Sequence, residues 1–308
     1  MVAYLSDDGI KALSNIGLAP YVILVGYRLN QFIRNKRKFG TLVNYGRSNY
    51  FDEFQNFKWK NLIPLLGNGL TNLFNLVTIT MAFKYAKLAN MNQGIVSTLN
   101  TLTSVYNLFI FYFGFGERVT IIQFIGMLVM LSCIAFVSIS TRQEIPENSP
   151  QSYEDLQYNA GISLIYAFLS PLCLSIKHIF VRKYRQQYNS WDVSIDALIF
   201  EYQIYILFAV YYFLNESLVW SDLIIGTVGS LFMASGKVLI VLAVANGLAG
   251  PAASLASTQI LYVTILSIIV SGQGIKTLEV MALVFGFLGA TIISSGDFMY
   301  KKLFKQNQ

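Results

Sequence analysis

Nine apolar stretches follow one another along the chain: residues 15–33, 61–83, 92–113, 119–140, 158–182, 194–214, 222–245, 251–272 and 278–299. Each is about long enough for a helix to cross ~30 Å of hydrocarbon. Nothing else constrains the fold as strongly. Lipid offers no partner to a backbone N–H or C=O, so segments of this length satisfy their hydrogen bonds internally, as helices. Composition agrees: 55% of the 308 residues are hydrophobic and 12% are charged, about half the charge of an ordinary soluble domain. A soluble chain of this size could not bury so much apolar surface. The expected fold is therefore an all-α polytopic membrane protein with nine transmembrane helices.

Other classes fall away. The net charge of +6 does not announce a nucleic-acid partner, because the basic residues gather into no folded soluble module. Cys133 and Cys173 both sit inside apolar runs and build no disulfide framework. The opening Met1-Val-Ala-Tyr-Leu-Ser-Asp-Asp has neither a basic region with a cleavage site nor an Arg-rich character, so no signal peptide or presequence is expected.

Lys and Arg in short loops set orientation. One side of the expected membrane carries 14 of the 22 basic residues, in the 34–60 loop, 114–118, the 182–193 turn and the C-terminal tail. The other carries 5, namely Lys11, Lys84, Lys87, Arg142 and Lys276, while Arg28, Lys177 and Lys237 lie within spans. This places the C-terminus in the cytoplasm, or the matrix, and the N-terminus opposite.

Two stretches of the sequence resemble each other. Lys87-Leu-Ala-Asn-Met-Asn-Gln-Gly-Ile-Val-Ser-Thr matches Gly247-Leu-Ala-Gly-Pro-Ala-Ala-Ser-Leu-Ala-Ser-Thr, and Glu117-Arg-Val-Thr matches Gly274-Ile-Lys-Thr. The expected halves are 1–157, with four spans, and 158–308, with five. An odd offset inverts one half relative to the other, as in many transporters. The turn Gly116-Glu117-Arg118-Val-Thr120 leading into an apolar helix, with the short span before it, resembles the drug/metabolite transporter superfamily. That superfamily includes EamA-like exporters and the nucleotide-sugar and triose-phosphate transporters. The resemblance runs from about residue 15 to 299 and implies a ten-helix fold of two inverted repeats. It aligns span 4 with the family's fifth helix, span 9 with its tenth, and Gly17–Arg28 with its second, so that the first helix has no counterpart here. The family's helices five and ten form a seam or dimer contact. Its nucleotide-recognising Asn and Lys are replaced here by Ala252-Ala-Ser-Leu-Ala-Ser-Thr. Golgi, endoplasmic reticulum and plasma membrane are the compartments it implies, with the mitochondrial inner membrane also open.

Polar groups inside spans are costly unless they face a cavity or a partner. Span 2 carries Asn68, Thr71, Asn72, Asn75 and Thr78 at helical spacing, and span 3 carries Gln93, Ser97, Asn100, Thr101, Ser104 and Asn107. These stripes suit either a hydrogen-bonding cavity wall or glue between helices. Lys237 in span 7 and Glu201 in span 6 are expected at matching depth, ~5 Å from the midplane at ~1.5 Å per residue. They read either as an ion pair locking two helices or as an anion site with a proton-exchanging partner. Lys177 and His178 lie near the basic end of span 5, where a lysine can snorkel. The small residues Gly286, Gly289 and Ala290 permit close helix approach, within one chain or across a dimer seam.

No Ser-His-Asp set, metal cluster or phosphate-binding glycine loop is evident, so neither an enzyme nor a cofactor is expected. Two functions remain. One is a secondary transporter of a small polar or anionic metabolite, working by alternating access with Asn72, Asn75, Asn100, Lys237 and Glu201 at its binding site. The other is a non-transporting accessory subunit, held in a homodimer or a larger membrane complex through the 34–60 loop and the gap of the absent helix. That loop interleaves seven basic residues with Tyr45, Tyr50, Phe51, Phe54, Phe57 and Trp59, and also suits an anionic membrane surface. The acidic 141–157 segment reads as a linker.

Overall fold

The computed structural model describes residues 17–45, 48–89, 91, 96, 98–116, 119–142, 153–215, 220–245, 269 and 277–304. Among these the chain forms eight α-helices: α1 (Leu18–Phe39), α2 (Leu62–Leu88), α3 (Leu102–Phe115), α4 (Ile121–Arg142), α5 (Tyr153–Tyr184), α6 (Ser190–Asn215), α7 (Trp220–Ala245) and α8 (Thr277–Phe304). Short 3₁₀ turns, Trp59–Asn61 and Leu99–Thr101, lead into α2 and α3. The expected span 251–272 lies, but for Ile269, outside the described residues.

Among the described residues five helical segments are long and apolar enough to cross a membrane: Trp59–Leu88, Glu154–Tyr184, Ser190–Asn215, Gly226–Ala245 and Thr277–Gly296. The chain is an all-α, multi-pass integral membrane protein. Its outward surface agrees, with Phe74, Ile165, Leu207, Phe213 and Leu239 exposed. The remaining expected crossings are not among the five. Helix α1 carries Arg28, Arg34 and Lys36–Lys38, and α3 has 14 residues. Several helices outrun the apolar stretch that announced them. Hydropathy marks the hydrocarbon slab, whereas a helix continues through polar residues until something stops it. For α1 the stop is Gly40, at φ +74°, whose N–H bonds the carbonyl of Lys36. A left-handed residue there costs glycine nothing. The basic Lys36, Arg37 and Lys38 face the negative end of that helix dipole.

The chain divides into two compact units, Met1–Leu73 with Lys177–Asn246, and Phe74–Ile176 with Gly247–Gln308. Each draws elements from both halves of the sequence, and the boundary falls within α2 and α5. In the first unit, α1, α6 and α7 pack on one another. The buried side chains there include Val193, Leu198, Tyr202, Tyr205, Val241 and Val244.

The second unit is centred on α4 and α8. The two helices approach backbone to backbone at glycines. A Cβ on Gly289 would stand 2.9 Å from the nitrogen of Met130 and 3.0 Å from the carbonyl of Gly126. Met127, Met130, Ala290 and Ile293 join Ala82, Ala86, Leu99, Leu102 and Ala167 in its core. The small residues of α8 are thus used inside the chain.

Candidate functional site

Glu201 lies on α6 one turn before Tyr205, so both side chains share a face. The carboxylate is wholly buried, and Lys237 of α7 meets its Oε1 at 2.5 Å. The Tyr205 hydroxyl donates to the same oxygen at 2.6 Å. Glu201 Oε2 and the Tyr202 hydroxyl are buried without a hydrogen-bond partner among the described residues. Lys177 of α5 is 2% exposed and close enough to interact electrostatically with both Lys237 and Glu201. It does not reach out as a snorkelling lysine would. His178 beside it is buried as well.

Lys177 thus adds a second amine near the Lys237–Glu201 pair, and where both amines are protonated the cluster carries a net positive charge. Lys237 keeps 14% of its side chain accessible, so the group is buried but not sealed. Asn68 and Asn72 belong to the same unit, each with a buried Oδ1 that accepts no hydrogen bond from the described residues. Asn68 also lines a small cleft with Pro64, Phe180, Tyr184 and Tyr188.

Asn75 and Asn100 lie in the second unit, where Ser170 of α5 joins them. Its hydroxyl lies 2.8 Å from Asn75 Oδ1 and 3.1 Å from Asn100 Oδ1. Ser170 is fully buried, the two amides only partly. Ser163 donates to the carbonyl of Ala82 at 2.8 Å, and Ser175 returns its proton to Pro171 at 3.0 Å. Of the five residues singled out in the sequence, Lys237 contacts Glu201 and Asn75 shares Ser170 with Asn100. The Oδ1 of Asn72 bonds to neither pair.

A second charged cluster had no forecast. Arg28 donates from Nη1 to Asp192 at 2.6 Å and from Nε to Asp196 at 2.7 Å. Tyr50 donates to Asp196 Oδ2 at 2.6 Å, and the Tyr188 hydroxyl lies 2.9 Å from that oxygen and is hydrogen-bonded to Tyr50. Asn49 donates to Asp192 at 3.0 Å. The 40–61 segment is thereby clasped to the start of α6. Burial, then the charge of Asp196, raises the pKa of Tyr50 and of Tyr188 well above the usual tyrosine range. The spacing of Asp192 and Asp196, one helical turn apart beside an in-span arginine, was the available signal. Among the described residues no group of three His, Cys, Asp or Glu is placed to hold a metal ion. Compared with protein-family models and with curated proteins, the chain matches none.

Proposed function

We propose that this protein is a secondary transporter of a small anionic metabolite. In this reading it works by alternating access, with nine helices in two inverted repeats on the drug/metabolite transporter plan and a cytoplasmic or matrix C-terminus. The observation that carries the proposal is the Lys177–Lys237–Glu201 group. A pair that only locks two helices needs one cation for its carboxylate. A second buried lysine, where protonated, adds a charge that packing does not need, and an isolated buried charge is unfavourable. A bound monoanion neutralises it.

The substrate then pairs with Lys237, the partly accessible member, and draws it from Glu201. The carboxylate keeps the Tyr205 hydroxyl on Oε1, and its bare Oε2 offers a place for a proton or a water hydrogen. Asn72, in the same unit, supplies a neutral hydrogen-bonding group for the polar part of the solute.

The test is uptake by the purified protein in liposomes, screened with sugar phosphates, nucleotide sugars and amino acids. Saturable uptake of an anion, lost in folded Lys237→Ala and lowered in Lys177→Gln, is the expected result. No flux with any solute, together with migration in a large complex on native gels, would replace transport by the accessory-subunit reading.

A further inference from the structure

We propose that the 40–61 hairpin docks on the anionic headgroups of the bilayer that surrounds the protein, with Phe54 as its apolar anchor. The proposal rests on features outside the charged clusters. The hairpin closes through Lys58 N–H to the carbonyl of Tyr50 at 2.7 Å and Asp52 N–H to that of Asn56 at 3.0 Å. Gln55, at φ +67°, turns the tip. Asp52 caps the turn by accepting from the Asn56 N–H at 2.7 Å. The tip therefore has a defined shape, and it presents Phe54 at 84% exposure.

Its position follows from its flanks. Trp59, 73% exposed, opens the apolar segment Trp59–Leu88, so the hairpin ends where a membrane span starts. An exposed aromatic at that level is at home in the headgroup layer. Phe57 contacts both Phe51 and Trp59 edge-on, with centroids 5.4 and 4.7 Å apart, and these rings stiffen the base. Lys58 and Lys60 are exposed beside Trp59, and Lys36, Arg37 and Lys38 are exposed at the end of α1. The acids of the hairpin are Asp52, held by Asn56, and Glu53 at the tip. Seven basic residues against two acidic ones across 34–60 leave the segment positive. Charge complementarity selects an anionic lipid surface as the occupant.

The internal clasp supports the same role. Asn49 and Tyr50 are turned inward onto Asp192 and Asp196, so the hairpin is anchored to the protein by one edge. Phe54, Trp59 and the lysines remain on the outside.

The full chain, carrying Phe54→Cys on a background with Cys133→Ala and Cys173→Ala, is labelled with an environment-sensitive fluorophore. It is placed in nanodiscs of phosphatidylcholine alone or mixed with phosphatidylglycerol. The expected result is a blue-shifted emission, shielded from aqueous iodide, in the anionic discs and not in the neutral ones. Each of Lys58→Gln and Lys60→Gln lowers the docked-to-free ratio about fivefold, and high salt acts in the same direction. Emission equally aqueous in both lipids overturns the proposal and leaves the hairpin to a protein partner. Equal shielding in both overturns the requirement for anionic lipid. A labelled Glu53→Gln variant, expected to dock more strongly in anionic discs, keeps the test open if a lysine variant fails to fold.

Discussion

Removing the Lys237 ammonium separates a helix lock from a binding site. In Lys237→Ala, Glu201 stays fully buried with one oxygen held by Tyr205 and the other bare. Stripping one partner from a buried ion pair costs about 3–5 kcal/mol. Lys177 remains within electrostatic reach of the carboxylate, so the lower end of that range, about 3 kcal/mol, is expected. That is more than a hundredfold in the folding equilibrium, at about 1.4 kcal/mol per decade. Replacing both partners by similar apolar volume, as in Glu201→Met with Lys237→Met, removes the uncompensated carboxylate and recovers all or most of that loss. Reversible unfolding of the micelle-embedded protein in increasing SDS, followed by far-ultraviolet circular dichroism, gives the stability of each variant, and liposome uptake gives flux. The expected pattern is a destabilised single variant, a double variant as stable as the parent, and no anion flux in either. A double variant that transports at the parental rate would refute the assignment of these charges to the solute. A single variant within about 0.5 kcal/mol of the parent, the range of an ordinary surface change, would refute the buried geometry itself.

Other outcomes follow from the same reasoning. Gly289→Ala should destabilise by about 1–3 kcal/mol, because its Cβ meets backbone atoms of α4 that cannot rotate away. Gly236→Ala, with nothing within 4 Å of the added carbon, should be neutral or gain up to ~1 kcal/mol from helix propensity. Ser170→Ala removes the hydroxyl shared by Asn75 and Asn100 and should cost about 1 kcal/mol in the same unfolding assay. The clasp should depend on alkaline pH. Tyr50 and Tyr188 are held neutral by burial and by Asp196, which raise their folded-state pKa. Their contribution is therefore complete below the ordinary tyrosine value of about 10. It is lost as pH rises from there toward the folded values, since the free hairpin ionises first. Limited proteolysis within 40–60 should accelerate above that pH. Asp196→Asn should open the same sites at neutral pH.

Apolar runs made the helices legible, because a membrane span is a local property of about 20 residues. The approach of Glu201 and Lys237 was legible too, through their matching depth in adjacent spans. Lys177 was not. Its sequence neighbours Arg182 and Lys183 place it near a basic helix end, and only the packing around α5 turns its stem inward. The 34–60 segment misled in the opposite way. Its composition is that of a solvated basic loop, yet Tyr50 and Asn49 are spent on carboxylates more than 140 residues away. Glycine spacing in α8 allowed either a dimer seam or internal packing. The choice depends on which helix brings a matching small residue, and Gly126 of α4 does so.

The charges of the first unit reveal a further consequence of the fold. Arg28, Lys177 and Lys237 are the three basic residues within the expected spans, and Asp192, Asp196 and Glu201 are the acids they interact with. Three cations interact with three anions. Folding distributes them unevenly. Arg28 receives two carboxylates, and the surplus negative charge is met by hydroxyl and amide donors from Tyr50, Tyr188 and Asn49. The two lysines receive one carboxylate between them. The clasp is thus satisfied by neutral donors that the chain provides, whereas among the described residues Glu201 is the one carboxylate shown beside the lysine group. The same comparison separates two predictions: Asp196→Asn should loosen a loop, because the hairpin donors converge on that carboxylate, and Lys237→Ala should, under the transporter reading proposed above, abolish anion binding.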